Sequence, residues 1–202
     1  MSSPELPDEL VEALRGALDR TPTPVILIDG PSGTGKSTLS DRLVAAWPRT
    51  VEPTLVRMDD IYPGWSGLDA ASMHIRNELL GPRRAGTAAR WRRHDWTADV
   101  PAEWHTVDPS APLIVEGCGT LSRDNAALAD LRMWLTADDG ARKARALARD
   151  AGAFDAHWDD WQGQFDAFVA RERPESRANL TIDATDWPLV VQAHFGAAGL
   201  TW

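Results

Sequence analysis

The sequence predicts an α/β protein in which helices cover both faces of a mostly parallel sheet of roughly five strands. Three observations predict it. Short apolar runs (Val25–Ile28, Leu113–Val115, Leu131–Leu135) alternate with stretches of helical periodicity. The chain of 202 residues shows no internal repeat and no composition break, so residues 1–202 read as a single domain. The first apolar run is followed at once by GPSGTGKST, Gly30 to Thr38, which matches the phosphate-loop pattern G-x-x-x-x-G-K-[ST] between a strand and a helix. Together these define a three-layer P-loop NTPase fold.

The elements follow in order. Leu6, Leu10, Val11, Leu14 and Leu18 share one helical face, and Pro22 and Pro24 end that helix before a strand at Val25–Asp29. A helix is expected from Gly35 to Trp47, stopped by Pro48, then a strand over Thr54–Met58 that delivers Asp59, Asp60 and Tyr62 at its carboxyl end. Ala70–Leu80 reads as a helix ending at Gly81-Pro82. Residues 83–107, rich in Arg and Trp, read as a hairpin with arms Ala88–His94 and Trp104–Val107, a cap for an acceptor site. Leu113–Val115 is a buried strand ending in Glu116-Gly117, and Leu131–Leu135 is another. Residues 138–172 form a lid and a following helix. Asp138 opens the first of these and arginines close it, as the helix dipole favours. In the second, Trp158, Trp161, Phe165 and Phe168 make an aromatic stripe, read as a packing surface rather than a binding box, with a homodimer seam as a further reading. Leu180–Asp183 is a last strand, and Pro188–Phe195 is either helix or strand.

The loop carries the chemistry. Glycines let successive N–H groups face one phosphate, Lys36 adds a point charge, and the Ser37 hydroxyl is placed to ligate Mg²⁺ at a helix N-terminus. The expected ATP contacts are Gly30, Ser32, Gly33, Thr34, Gly35, Lys36, Ser37 and Thr38. Lys36 and Lys143 are the only lysines, so a lysine in this loop points to a chemical requirement. Ligands of open parallel sheets sit beyond the strand carboxyl ends, where Asp59 is expected as the base and Glu116 as a metal-associated acid. Asp60 is the alternative base and an expected acceptor contact.

The composition excludes several classes. A formal charge of −9 disfavours nucleic acid and anionic membranes as partners. A single cysteine, Cys118, rules out a disulfide framework, and the five histidines lack metal-ligand spacing. No apolar run reaches membrane-spanning length and Met1–Asp8 does not read as a signal peptide, so a cytoplasmic location is expected.

The ordered series GPSGTGKST, DDIY (Asp59–Tyr62), HDW (His94–Trp96), LIVEG (Leu113–Gly117) and RKARALARD (Arg142–Asp150) resembles the uridine kinase and phosphoribulokinase-like P-loop kinases. The resemblance implies roles residue by residue. Asp59 corresponds to the catalytic aspartate, which also lies near Mg²⁺, and Ser37 and Glu116 to the other magnesium-associated groups. Tyr62 stands where a family tyrosine lines the nucleoside pocket. Arg142, Arg145 and Arg149 correspond to lid arginines that meet phosphates on closure. The base-reading parts depart from the family: His94 replaces a tyrosine, Thr97-Ala98-Asp99-Val100 stands where a His-Ser-Arg stretch is expected, and Gly64-Trp65-Ser66-Gly67 is unlike the family loop. Uridine specificity is therefore not carried over. Asp95 is retained, to bind substrate hydroxyls or to pair with Arg92 or Arg93. Arg90, Arg92 and Arg93 either grip an anionic acceptor or face solvent, and the nearby tryptophans either stack on a ring or close a small core.

The expected activity is transfer of the ATP γ-phosphate to a hydroxyl of a nucleoside-like or other small metabolite, with Mg²⁺. Ile28-Asp29-Gly30-Pro31 also resembles the start of cytidylate kinases, which makes a nucleoside monophosphate acceptor the second reading. An ATP-binding switch or pseudo-kinase is the third, although no Asn-Lys-x-Asp base reader is present.

Overall fold

Val25–Asp29 (β1) is buried along its whole length and forms the axis of a six-stranded sheet. The structure, a computed structural model, describes residues 6–149, 152–186 and 189–194. Around β1 the chain lays down α1 (Asp8–Arg20), α2 (Lys36–Ala45), β2 (Thr54–Arg57), α3 (Leu68–His74), α4 (Gly81–Arg84), β3 (Ala89–Asp95) and β4 (Val100–Val107). The second half adds β5 (Leu113–Glu116), α5 (Arg123–Ala126), β6 (Leu131–Thr136), α6 (Asp139–Arg149), α7 (Trp158–Glu172), β7 (Leu180–Asp183) and β8 (Val190–Ala193).

The sheet order is β2-β5-β1-β6-β7-β8. All neighbours are parallel except β7 and β8. A parallel sheet must be covered on both faces, and the alternation along β1 shows how. Ile26 and Ile28 join Leu10 and Leu14 of α1 and Leu39 and Leu43 of α2 in one apolar cluster. Val25 and Leu27 belong to the other cluster, with Ile75, Phe165 and Phe168. Each aliphatic side chain buried in this way stabilises the fold by roughly 1.5–3 kcal/mol. The three-layer P-loop architecture expected from the sequence is present.

Three segments differ in detail from expectation. The sixth strand comes from the segment left open between helix and strand: Val190–Ala193 pairs antiparallel with β7, while Trp187, Pro188 and Phe195 lie outside the described residues. The helix expected to stop at Gly81-Pro82 instead continues, from α3 through a π-helical stretch, Ile75–Leu80, into α4. A helical proline offers no N–H and crowds the carbonyl four residues back, and the wider π winding ahead of Pro82 relieves that crowding. The second hairpin arm starts at Val100 rather than Trp104. Its early residues are exposed and show no apolar alternation, so pattern could not reveal them.

The aromatic stripe of α7 packs inside this chain: Trp158, Trp161, Phe165 and Phe168 are all buried. It is therefore not available as a seam between subunits. No helix among the described residues is long and apolar enough to cross a membrane.

Candidate active site

The carboxyl ends of β1, β2 and β5 converge on one cleft. It is lined by Ser32, Gly33 and Gly35 to Thr38 of the phosphate loop, by Asp59 and Glu116, by Cys118, and by Arg145, Ala146 and Arg149 of α6. The loop geometry follows from its glycines. Gly30, Gly33 and Gly35 adopt φ of +149°, +81° and +91°, a region that strains any other residue. A Cβ on Gly30 would collide with the Leu135 carbonyl, and one on Gly33 with the Arg142 carbonyl. The loop is thus wedged between the end of β6 and the first turn of α6.

Lys36, the first residue of α2, is buried, and its ammonium is already committed to the loop. It donates to Gly30 O at 2.8 Å and to Pro31 O at 2.9 Å, and lies 3.6 Å from Cys118 Sγ. An ammonium has three protons. Two stiffen the loop, and the third is directed to the Cys118 thiol, a contact that a bound phosphate would replace. Thr34, by contrast, is buried and caps the loop internally through Oγ1 to Pro31 O at 2.9 Å.

Asp29, which the sequence did not single out, holds the cleft together. Its fully buried carboxylate accepts N–H bonds from Gly30 at 2.7 Å, Gly119 at 2.9 Å and Leu121 at 2.7 Å. It thereby ties the phosphate loop to the turn after β5. Burial raises its pKa to about 6, against the opposing pull of those N–H groups and of Lys36. A folded-state value above the ordinary one means that folding takes up a proton between about pH 4 and 6. The Asp29 contribution to stability is then full below about pH 4 and falls by up to about 3 kcal/mol as pH rises through 6. In chemical denaturation at pH 4, 5, 6 and 7, the stability difference between the wild type and Asp29→Asn is expected to shrink as pH rises. A constant difference would show that Asp29 does not titrate there.

The acidic groups are where the topology requires them. Asp59 sits in a 3-10 turn, Met58–Asp60, directly after β2. Glu116 ends β5, almost fully buried, 3.6 Å from Arg57 Nε and hydrogen-bonded by Ser37. Burial raises its pKa, with the Asp59 charge adding to the effect and Lys36 opposing it. Two carboxylates and a hydroxyl facing one cleft form a hard oxygen donor set. No group of three or more His, Cys, Asp or Glu side chains among the described residues forms a metal cage. That combination suits Mg²⁺, which keeps waters and takes further oxygens from substrate phosphates, and Ser37, Glu116 and Asp59 are the residues that would hold it.

The three arginines of α6 separate. Arg145 and Arg149 line the cleft. Arg142 is buried beside it, donating to Asp139 at 2.7 Å, to Gln162 at 3.0 Å and to Ser32 O at 3.4 Å. Asp150, the last residue of the lid motif, lies outside the described residues.

A second pocket opens on the other side of Asp59. It shares Ser32, Asp59 and Arg149 with the phosphate cleft and is otherwise walled by Tyr62, Trp65, Trp96, Ala153, Phe154 and Trp161. Tyr62 is buried, donating its hydroxyl to Cys118 O at 2.8 Å and meeting Trp161 edge-on at 4.7 Å. Trp65 stacks on His157 at 4.4 Å and on Phe154 at 5.2 Å. Its carbonyl accepts from Gln164 of α7 at 2.8 Å. Trp96, at the tip of the β3–β4 hairpin, donates its indole N–H to the Asp59 carbonyl at 2.7 Å.

Of the expected acceptor contacts, only Tyr62 lines this pocket. Asp60 lies beside it in the 3-10 turn, its pKa raised by burial and by the neighbouring Asp59 charge. Arg93 points away into an ion pair with Glu103 at 2.7 Å. Asp95 closes the hairpin turn by accepting from Thr97 N at 2.9 Å and Ala98 N at 3.0 Å, which lowers its pKa. Arg90 pairs with Glu78 and covers the face of Trp104, and Arg92 donates to Ala102 O. Among the hairpin tryptophans, Trp96 lines the pocket and Trp91 stacks on His105 instead. Sequence reasoning passed over Trp65 and Phe154 as wall residues and read Trp161 as packing rather than as part of a binding box. One signal for Trp65 was that Gly64–Gly67 departs from the family pattern.

No family model and no curated protein matches the sequence. Solved structures do. A possible uridine kinase from Bacillus stearothermophilus matches with a TM-score of 0.58 at 17% identity, over 86% of this chain and 98% of that one. A candidate fructose transport system kinase from Silicibacter sp. TM1040 matches with a TM-score of 0.52 at 23% identity, over 84% of this chain and 89% of that one. At these identities the likeness is one of fold.

Proposed function

We propose that this chain is an ATP-dependent kinase that transfers the γ-phosphate to a hydroxyl of a nucleoside-like or other small metabolite. One observation carries the reading: Asp59 stands on the wall common to the phosphate cleft and the aromatic pocket. A base so placed touches both a γ-phosphate in the loop and a hydroxyl in the pocket. That is the requirement of in-line transfer. The two kinase-named proteins that share the fold support the same reading.

The acceptor oxygen attacks the γ-phosphorus, its proton passes to the Asp59 carboxylate, and the bond to the β–γ bridging oxygen breaks to release ADP. Lys36 and the loop N–H groups hold the phosphate oxygens, and Arg145 and Arg149 face the charge that spreads over the transferred group. Ser37, Glu116 and Asp59 would hold a Mg²⁺ ion that arrives with the nucleotide, and its charge would help to neutralise the phosphates.

The nucleoside monophosphate reading needs a cationic grip on the acceptor phosphate. Arg90, Arg92 and Arg93 are directed to Glu78, to Ala102 O and to Glu103, away from the aromatic pocket. The hydroxyl acceptor is therefore favoured.

The test is ADP release from Mg·ATP against nucleosides, nucleoside monophosphates, sugars and pantothenate-like alcohols, with Asp59→Asn as control. Stimulation by a hydroxyl compound that is lost in the variant supports the reading. Stimulation by monophosphates alone would replace it with the nucleotide kinase, and ATP binding without stimulation would leave the switch. Arg145 now donates to Ala184 O at 3.0 Å and Ala141 O at 3.3 Å, anchored at the cleft edge. Arg145→Ala is expected to lower kcat by about 10–10²-fold with little change in ATP affinity. A loss confined to affinity, read by nucleotide titration, would contradict a role in transfer.

A further inference from the structure

Ser32 is held from outside the phosphate loop by both its hydroxyl and its carbonyl. Its Oγ accepts the Trp161 indole N–H at 3.0 Å, and its carbonyl accepts from Arg142 at 3.4 Å. Arg142 also donates to Gln162 Oε1 at 3.0 Å and to Asp139 Oδ1 at 2.7 Å. Trp161 and Gln162 are consecutive residues of α7. One turn of that helix therefore reaches Ser32 twice, directly through the indole and indirectly through the Arg142 guanidinium. Both intermediaries are fixed in place: Trp161 and Arg142 are buried, and the Trp161 ring meets Tyr62 edge-on at 4.7 Å. The pattern G-x-x-x-x-G-K-[ST] leaves position 32 open, so these two ties belong to this chain and are not a demand of the loop as such.

The loop has reason to be tied. Gly30, Gly33 and Gly35 give it its shape, and the same residues leave it the most freedom to lose. A nucleotide that had to order a loose loop would bind more weakly than one meeting a loop already in place. Lys36 braces the loop from inside, at the Gly30 and Pro31 carbonyls. Ser32 follows directly in sequence, and its ties brace the loop from outside.

We propose, resting on the nucleotide-binding part of the kinase reading above, that Trp161 and Gln162 are positioning residues which clamp the phosphate loop at Ser32 in the conformation that receives the nucleotide. Trp161 also walls the aromatic pocket, so one indole belongs to both sites. By thermodynamic linkage, whatever settles the Trp161 ring in that pocket tightens nucleotide binding, and nucleotide tightens its binding by the same factor.

The test is calorimetric titration of the full chain with Mg·ATP, alongside thermal unfolding. Trp161→Phe keeps a ring in the buried site and removes the N–H, while Ser32→Ala removes the acceptor at the other end. Each is expected to weaken Mg·ATP binding by about 3–10-fold, the scale of one hydrogen bond. The double variant is expected within ~2-fold of the weaker single one, because both changes delete the same bond. Gln162 is only partly buried, so its variants test the second tie without threatening the core. Gln162→Ala is expected to weaken binding by about threefold or more. Gln162→Glu gives up the bond that Gln162 donates to Asp166 at 2.7 Å, yet keeps an oxygen for Arg142, and is expected to restore wild-type affinity within ~2-fold.

Unchanged Mg·ATP affinity in folded Trp161→Phe, even with a lowered Tm, would make the residue one of packing and overturn the clamp. Losses that multiply in the double variant, or a Gln162→Glu protein as weak as Gln162→Ala, would also overturn it and leave the kinase standing. A wild type that binds no Mg·ATP would remove the kinase reading, and the clamp with it.

Discussion

Lys36→Ala is expected to abolish detectable phosphate transfer, a loss of at least ~10³-fold in kcat/KM, the upper end of the scale for removing a preorganised donor at developing charge. Two effects combine. The ammonium provides the only lysine charge at the loop, and it braces the loop through the Gly30 and Pro31 carbonyls. Its removal takes a charged donor from two loop carbonyls, which keep only the weaker bonds from Thr34 and the Cys118 thiol, and leaves the phosphates without their cation. Nucleotide affinity by calorimetry and turnover by ADP release are both expected to fall, while thermal unfolding reports whether the loop alone has loosened. Unchanged turnover in a folded variant would remove the phosphate loop from the mechanism.

Asp59→Asn should cut transfer by at least ~10²-fold with ATP affinity nearly intact, the usual scale for losing a general base. The substitution is close to isosteric at an exposed site, and the contact from Trp96 is made to the Asp59 backbone carbonyl, which the variant keeps. A defect would therefore report on the carboxylate itself. If turnover survives, the proton goes elsewhere, and Asp60, one residue along the same 3-10 turn, becomes the base to examine with Asp60→Asn.

How much of this was legible in the sequence follows from how local each feature is. The phosphate loop is contiguous, and the spacing of Gly30, Gly35, Lys36 and Ser37 encodes its own backbone geometry. Asp59 and Glu116 were legible because each ends a short apolar strand and parallel sheets bring strand ends together. The lid arginines were legible as a set, yet their spacing could not show that Arg142 faces inward to Ser32 and Gln162 while Arg145 and Arg149 face the cleft. The aromatic pocket was not legible as a site. Its rings come from the turn after β2, the following loop, the hairpin tip and the segment around α7, with no shared periodicity. Trp161 in particular belongs to a stripe whose helical spacing correctly signals packing, and it lines the pocket as well. Asp29 escaped notice because a buried aspartate ending a strand has no motif of its own, only three N–H partners that folding supplies.

The hairpin of β3 and β4 is a two-stranded sheet of its own, sharing no ladder with the central six strands. It reaches Asp59 through the indole of Trp96 at its tip. The tip can therefore be rebuilt without breaking a ladder bond of the central sheet, provided that Trp96 is kept. A laboratory library confined to residues 95, 97, 98 and 99, and screened against many alcohols, would vary the hairpin tip while leaving the phosphate loop and the contact to Asp59 in place.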